Sequence, residues 1–586
     1  MSETLAQALA RVGDPVQLLR DVDYPAFTFP VHPEFSNWRT ESRSWNDSVA
    51  LMDQSHHMTQ LFLEGEDIVE VLSGIAVNTF SNFRPGVAKQ LISVDPSGHV
   101  IGDGILFHLN HATAQGERVV LIGHHVLIDW VRFHAERSGK DIRYRLEGNS
   151  NMREGDPTFY RYELQGPHAH AVLEKLLGGP VPEVRFFHIA DFSFAGTTVQ
   201  GLRHGMAGQP GFEFFGPYAE GEGVRAALLE AGAEFGIERI GSKAYSVTPL
   251  ESGWVPTPFP AIFGDDPLFA EYREWLPLAR AGSIGGSLNG PVEDFLLTPF
   301  DLGLGRSVNF DHEFIGKEAL QRIAGSPARR KATLIWDADD VAKITQSQLE
   351  PGTPAKYLEW PKARYGFYQF DDVQQDGRRV GVSTDAGYVA YDQLYLSLAS
   401  IDVVVPDGAR VEVLWGEEPN SGKSNVEPHR QVRIAATVAP RRTTTTPARP
   451  TATSSPESRR SPCSSSDERS EESKRGTTRF ARSTNRAWAR ACPCSLSDER
   501  SEESKRRERL RGLGPVGRPG RFDSLRSLNE QGVGSRLSLF VERRAQRGVE
   551  TGGTAPRAAP RGSSGPFRLA SLAQRTGRGL APVPVR

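Results

Sequence analysis

"GQPGFEFFGP" (residues 208–217) is the stretch on which the fold turns. A short apolar run closed at both ends by Gly and Pro reads as a strand. Its alternation puts Phe212 and Phe214 on one face and Glu213 and Phe215 on the other. A lone Glu in such a strand faces water. Phe215 changes that, because whatever covers Phe215 also covers the carboxylate. A covered carboxylate needs donors, from the protein or from a ligand.

Outward from this strand the elements are mixed. "YELQGPHAHAVLEKLLGG" (162–179) predicts a strand and then a helix, with Pro167 near its first turn and Gly178 past its end. "GVRAALLEAGAEFG" (223–236) predicts another helix. Upstream, "HMTQLFLEG" (57–65) and "HVIGDGILFHL" (99–109) alternate as strands, and "EDIVEVLSGI" (66–75) has helical spacing. "ERVVLIGHHVLIDWVRFHAE" (117–136) reads as a strand running into a helix. From about 380 to 440 short period-two runs dominate. The fold class is α+β, ending in a β-rich domain.

Charge divides the chain of 586 residues in two. Of its 69 basic and 72 acidic residues, 31 and 14 fall in 441–586, which leaves 38 and 58 in 1–440. The tail is rich in Ser, Gly, Pro, Thr and Arg, has five aromatics, and repeats "CSSSDERSEESKR" (463–475) as "CSLSDERSEESKR" (494–506). It cannot bury a core and reads as disordered, or as a frameshift or read-through extension. All three cysteines lie there, without metal-ligand spacing. The acidic body does not suit nucleic acid, and only the tail could bind it, non-specifically through phosphates. With no signal-like start, no apolar run of membrane length and no cysteine in the body, a cytoplasmic protein is expected.

Two chemical motifs fail on spacing. In "WGEEPNSGKS" (415–424) five residues separate Gly416 from Gly422 where a phosphate-binding loop needs four. His56–His57, His124–His125 and His168/His170 lack a supporting second-ligand pattern, so no metal is expected.

"HVIGDGILF" (99–107), "LQGPHA" (164–169), "GQPGFEFFGP" (208–217), "TPFDLGLG" (298–305) and "DHEFIGKEAL" (311–320) resemble, in order, landmarks of the glycine-cleavage T-protein (aminomethyltransferase) family. "FSNWRTE" (35–41), "DQSHHM" (53–58), "LRHGMAGQPGFE" (202–213), "GSKAYSVTPLESGW" (241–254) and "VEPHRQV" (426–432) are more similar still to its tetrahydrofolate-dependent aryl O-demethylases. The resemblance spans about 20–440. It implies an aminomethyltransferase-like folate- and substrate-binding domain over 1–325, a C-terminal β-barrel-like domain over 326–440, and the tail beyond.

The implied reaction moves a methyl group from a methoxybenzoate to N5 of tetrahydrofolate, with no metal. Glu213 would hold the pterin by paired hydrogen bonds. Gln54, Gln90, Gln165 and Trp254 match folate-contacting positions, and Ile122 would contact folate through its backbone. Tyr245 matches the catalytic tyrosine, whose phenol of pKa about 10 suits an aryloxide leaving group. His57 would bind the aromatic's hydroxyl, and Asp103 would play a supporting part. Phe29 and His124 fall at substrate-binding positions. His124 stands where vanillate-type members carry Arg, and Phe29 where a Tyr is expected, so syringate is favoured over 3-O-methylgallate or vanillate. An aminomethyltransferase or a sarcosine- or dimethylglycine-type enzyme of the same fold is the alternative.

Overall fold

A computed structural model describes residues 3–23 and 30–440. Phe29 and the whole 441–586 tail therefore lie outside the described residues.

Two sheets are interleaved along the chain. β1 (Val49–Asp53) begins the first. β2 (Thr59–Glu64), β3 (Val87–Val94), β4 (Val100–His108), β5 (Val119–Gly123) and β6 (Arg143–Glu147) form the second, in the order β3-β4-β5-β2-β6. The chain then returns with β7 (Phe159–Gln165), β8 (Ile189–Phe194), β9 (Thr197–Arg203), β10 (Gly211–Pro217) and β11 (Ile237–Ile240), giving β11-β1-β7-β10-β9-β8.

Alternation in β10 holds as read, with both faces covered. Phe212 and Phe214 pack into a cluster with Leu164, Val199, Val172 and Leu228, the last two from the helices Ala169–Leu177 and Gly221–Gly232. Phe215 packs the other way, with Phe62, Phe107, Val120 and Ile122 of the second sheet. The two sheets thus meet face to face. Register places Arg161, Glu163 and Gln165 of β7 on the same side as Glu213 and Phe215 of β10. Gln90, Asp103, Ile105 and Ile122 share the facing side of the second sheet by the same argument. Apolar residues fill part of the interface and polar ones line the rest.

β12 (Ile284–Gly285) pairs in parallel with β14 (Tyr368–Gln369). β13 (Arg329–Trp336), β15 (Asp371–Gln375), β16 (Arg378–Val389), β17 (Leu394–Asp402), β18 (Arg410–Trp415) and β19 (Val432–Ala439) close into a barrel, β13-β17-β16-β15-β18-β19. Closure leaves no free edge, and Leu334, Val373, Trp415 and Ile434 fill the interior. We propose the domain division at 325/326, between the helix Lys317–Ala324 and β13. The main core nevertheless crosses it, since Val382, Val389 and Leu398 pack with Leu250, Phe259 and Leu288. No described helix is long and apolar enough to cross a membrane.

Candidate functional site

Glu213 sits at the polar end of the inter-sheet layer, 2% exposed. Its Oε1 is ion-paired with Arg161 Nη2, from the neighbouring β7. Of the two sources of donors open to a covered carboxylate, the protein supplies a cation.

Glu163, fully buried beside this pair, is the hub of a hydrogen-bond network. Its Oε1 accepts from Gln165 Nε2 at 3.0 Å and from the Met206 backbone at 3.2 Å. Its Oε2 is 3.4 Å from Gln54 Nε2 and 3.3 Å from His204 Nδ1. Burial alone would lower the His204 pKa, but Glu163 and then Glu213 hold it above its ordinary value. Close approach of the 204–209 turn requires Gly205, where a Cβ would lie 2.1 Å from the Gln209 carbonyl and 2.7 Å from Gln165 Nε2. Among the described residues, ligand atoms of Glu163, His204 and Glu213 converge within 4.8 Å. Arg161 already brings positive charge to that set.

On the facing sheet Asp103 is buried, and its Oδ2 accepts from Gln90 Nε2 at 2.8 Å and Trp254 Nε1 at 3.0 Å. Desolvation raises its pKa, and those two hydrogen bonds oppose the rise. Ile122 is buried between Gln60 and Ile105 in register.

Tyr245 ends the four-residue helix Ser242–Tyr245, and its hydroxyl lies 2.9 Å from His57 Nε2, with the rings edge to face. The helix is pinned from below. Buried Glu41 accepts from the backbone N–H of Gly241 at 2.8 Å, and also from those of Phe35 and Ser36. Burial lowers the His57 pKa to about 3, Arg161 and His56 adding to it, so the ring is neutral. Burial also pushes the Tyr245 phenol above its ordinary 10, against the nearby Arg161 charge. A phenol matched to an aryloxide at pKa about 10 is therefore corrected: burial makes Tyr245 hold its proton more tightly than that. His57, expected on the substrate hydroxyl, is hydrogen-bonded to Tyr245 through Nε2.

His124 stands just before the helix His125–Ser138 and packs edge-on against Phe367 at 5.4 Å. Desolvation, then the charge of Arg364, holds its pKa well below 6.5, so it serves as a neutral hydrogen-bonding group.

The structure thus gathers Gln54, Gln165 and Glu213 around Glu163, and Gln90 and Trp254 on Asp103, with Tyr245 and His57 forming a third pair. Sequence reasoning missed Arg161, Glu163, His204 and Glu41. The signal for the first two was "RYELQ" (161–165), polar at every second position of an apolar strand. Such a pattern reads as a solvent face unless a second sheet is known to cover it.

The set fits a reduced pterin. It offers a buried carboxylate for an amine and adjacent N–H, amides able to donate or accept, and half-buried flat rings at Trp254 and Tyr245.

Comparison with known proteins agrees with these features. Residues 1–257 match the GCVT N-terminal domain model. Syringate O-demethylase of Sphingobium sp. (strain NBRC 103272 / SYK-6) is 42% identical over 450 residues, covering 75% of this chain and 96% of that protein. Sesamin methylene transferase of Sinomonas sp. (strain No.22) is 28% identical, covering 60% and 78%. Aminomethyltransferase of Pseudothermotoga lettingae is 23% identical, covering 67% and 89%.

Proposed function

The chain belongs to the GcvT family and, within it, to the tetrahydrofolate-dependent aryl O-demethylases, and on that premise we propose that it demethylates a syringate-like methoxybenzoate. It is a one-carbon transferase with tetrahydrofolate as methyl acceptor. The 42% likeness to a syringate O-demethylase favours syringate over vanillate or 3-O-methylgallate.

Tetrahydrofolate supplies the acceptor nitrogen, N5. The methyl C–O bond breaks as the C–N bond forms, N5 loses its proton, and the aryloxide gains one. Glu213 holds the pterin edge, helped by Gln54, Gln90 and Gln165, while Trp254 and Ile122 wall it. Asp103 fixes Gln90 and Trp254. The Tyr245 hydroxyl, oriented by neutral His57, donates to the ether oxygen as negative charge develops there. His124, and Phe29 by its resemblance, lie on the substrate side.

The observation that carries this reading is the Tyr245–His57 hydrogen bond, within electrostatic reach of Glu163 and Glu213. An aryl ether needs a donor at its leaving oxygen, which an amine substrate does not. The test is to supply tetrahydrofolate with syringate, 3-O-methylgallate, vanillate, sarcosine, dimethylglycine and the glycine-cleavage intermediate. 5-Methyltetrahydrofolate from the aromatic ethers is expected; product from the amines alone overturns the reading.

A further inference from the structure

We propose that Glu41 and Lys362 are positioning residues for Tyr245, holding the one-turn helix that carries it by its two opposite ends. The inference rests on the aryl O-demethylase reading, in which the Tyr245 hydroxyl donates to the leaving ether oxygen. A helix of four residues, Ser242–Tyr245, cannot hold its own direction, because a single turn fixes many dihedrals for few hydrogen bonds. The N–H groups left over at its start and the carbonyls left over at its end have to be met from outside.

Glu41 meets the start. It is fully buried on the helix Trp38–Asp47, and its Oε2 accepts from the Gly241 N–H at 2.8 Å. Its Oε1 accepts from the N–H groups of Phe35 at 2.6 Å and Ser36 at 2.8 Å. One carboxylate therefore joins the helix to the 30–36 stretch, which supplies the next two acceptors. The His32 carbonyl takes the Ser242 N–H at 2.9 Å, and the Pro33 carbonyl takes that of Lys243 at 3.2 Å. The approach leaves no room for a side chain at Gly241, where a Cβ would lie 2.3 Å from the Pro33 carbonyl oxygen.

Lys362 meets the end. Its Nζ donates at 3.1 Å to the carbonyl of Ser246, the residue that closes the helix. The same Nζ lies 2.5 Å from Asp385 Oδ1, with both side chains 7% exposed. Asp385 stands in β16 at φ +57°, within the irregularity where pairing with β17 shifts between Thr384 and Gly387. Such bulges re-aim a side chain, and here Gly387 also bridges to the backbone of Lys362. Lys362 and Asp385 both follow the 325/326 division and lie outside the 1–257 region that matches the family model. The tyrosine thus belongs to one domain, and one of the two groups that hold its helix belongs to the other.

The test measures syringate demethylation by the full-length parent, Glu41→Gln and Lys362→Met, each substitution also combined with Tyr245→Phe. Glu41→Gln keeps the side chain's size and turns one accepting oxygen into an NH2 that cannot accept. Each single variant is expected to lower kcat about 10- to 100-fold, the range for a misplaced reacting group. KM for syringate and Kd for tetrahydrofolate should stay within about threefold of the parent's, as for an interaction made only in the transition state. On the Tyr245→Phe background the same substitutions should lower kcat by less than about threefold more, because no hydroxyl is left to misplace. Losses that multiply in full with that of Tyr245→Phe, a loss confined to KM, or a kcat within about twofold of the parent's in either variant overturn the proposal. Should Lys362→Met fail to fold, Asp385→Asn takes its place under the same criteria. A parent that forms no 5-methyltetrahydrofolate from syringate removes the demethylase reading and this proposal together. A parent that does form it, and keeps its kcat in Tyr245→Phe, removes this proposal alone.

Discussion

Glu213 and Arg161 face each other on neighbouring strands as an ion pair, their side chains 3% and 5% exposed. That pairing reverses the stability effect expected of a carboxylate awaiting only a ligand. Removing Glu213 leaves a buried guanidinium unmatched, an imbalance of about 3–5 kcal/mol. Glu213→Ala should therefore lower the Tm of the ligand-free protein by several degrees and weaken tetrahydrofolate binding by about 10²-fold or more. Thermal melts and a binding titration check both. Glu213→Gln, which keeps shape and one acceptor, should lose less stability and still bind folate poorly.

Tyr245→Phe keeps the ring and its edge contact with His57 and deletes one O–H. The deficit should appear in kcat, at about 10²–10⁴-fold, with KM little changed. It should shrink for aromatics with a more acidic leaving phenol. Steady-state kinetics across a series of ring-substituted methoxybenzoates measures the trend, and near-normal kcat on all of them would make Tyr245 a packing residue.

Asp103→Asn preserves an acceptor for Gln90 and Trp254 while removing the charge. With the hydrogen bonds from Gln90 and Trp254 kept, the substitution should cost under about tenfold in kcat/KM. A loss near 10³-fold would assign the carboxylate a direct part in the chemistry.

Acid should unfold the protein early. Burial lowers the pKa of His57 to about 3 and those of His125 and His134 to about 4. The unfolded chain takes up these protons near pH 6.5, before the native state does. Stability from keeping these rings neutral is then complete above pH 6.5 and lost progressively as pH falls toward 4. Tm recorded from pH 8 to 4 should be level to about 6.5 and then fall. A Tm level down to pH 5 would contradict it.

Ending the chain after Pro440 should leave demethylation within about twofold, because β19 (Val432–Ala439) already closes the barrel. A larger loss, measured as 5-methyltetrahydrofolate formed per enzyme, would give residues 441–586 a working role.

What the sequence disclosed was local. Period two marked β10 and its two faces, and helix signals at Pro167 and Gly178 bracketed the helix Ala169–Leu177. Glu213 and Tyr245 were legible through their motifs. Arg161, Glu163 and Glu41 were not, because each acts through pairing between elements distant in sequence. Glu41 and Gly241 are 200 residues apart. The same limit hid the shift at Tyr245, since a side chain's pKa belongs to its surroundings and not to its motif.

β10 has one further consequence, for how this gene can vary. Every residue from Gly211 to Gly216 is buried, with Phe212 and Phe214 beneath helices and Glu213 and Phe215 against the opposite sheet. A one-residue deletion or insertion there would exchange the two sets of side chains, setting a carboxylate into an apolar layer and a phenyl ring against Arg161. Conservative replacements can be absorbed in this strand, but changes in length cannot. In a library of random indels the strand should stand out as a gap in the surviving clones.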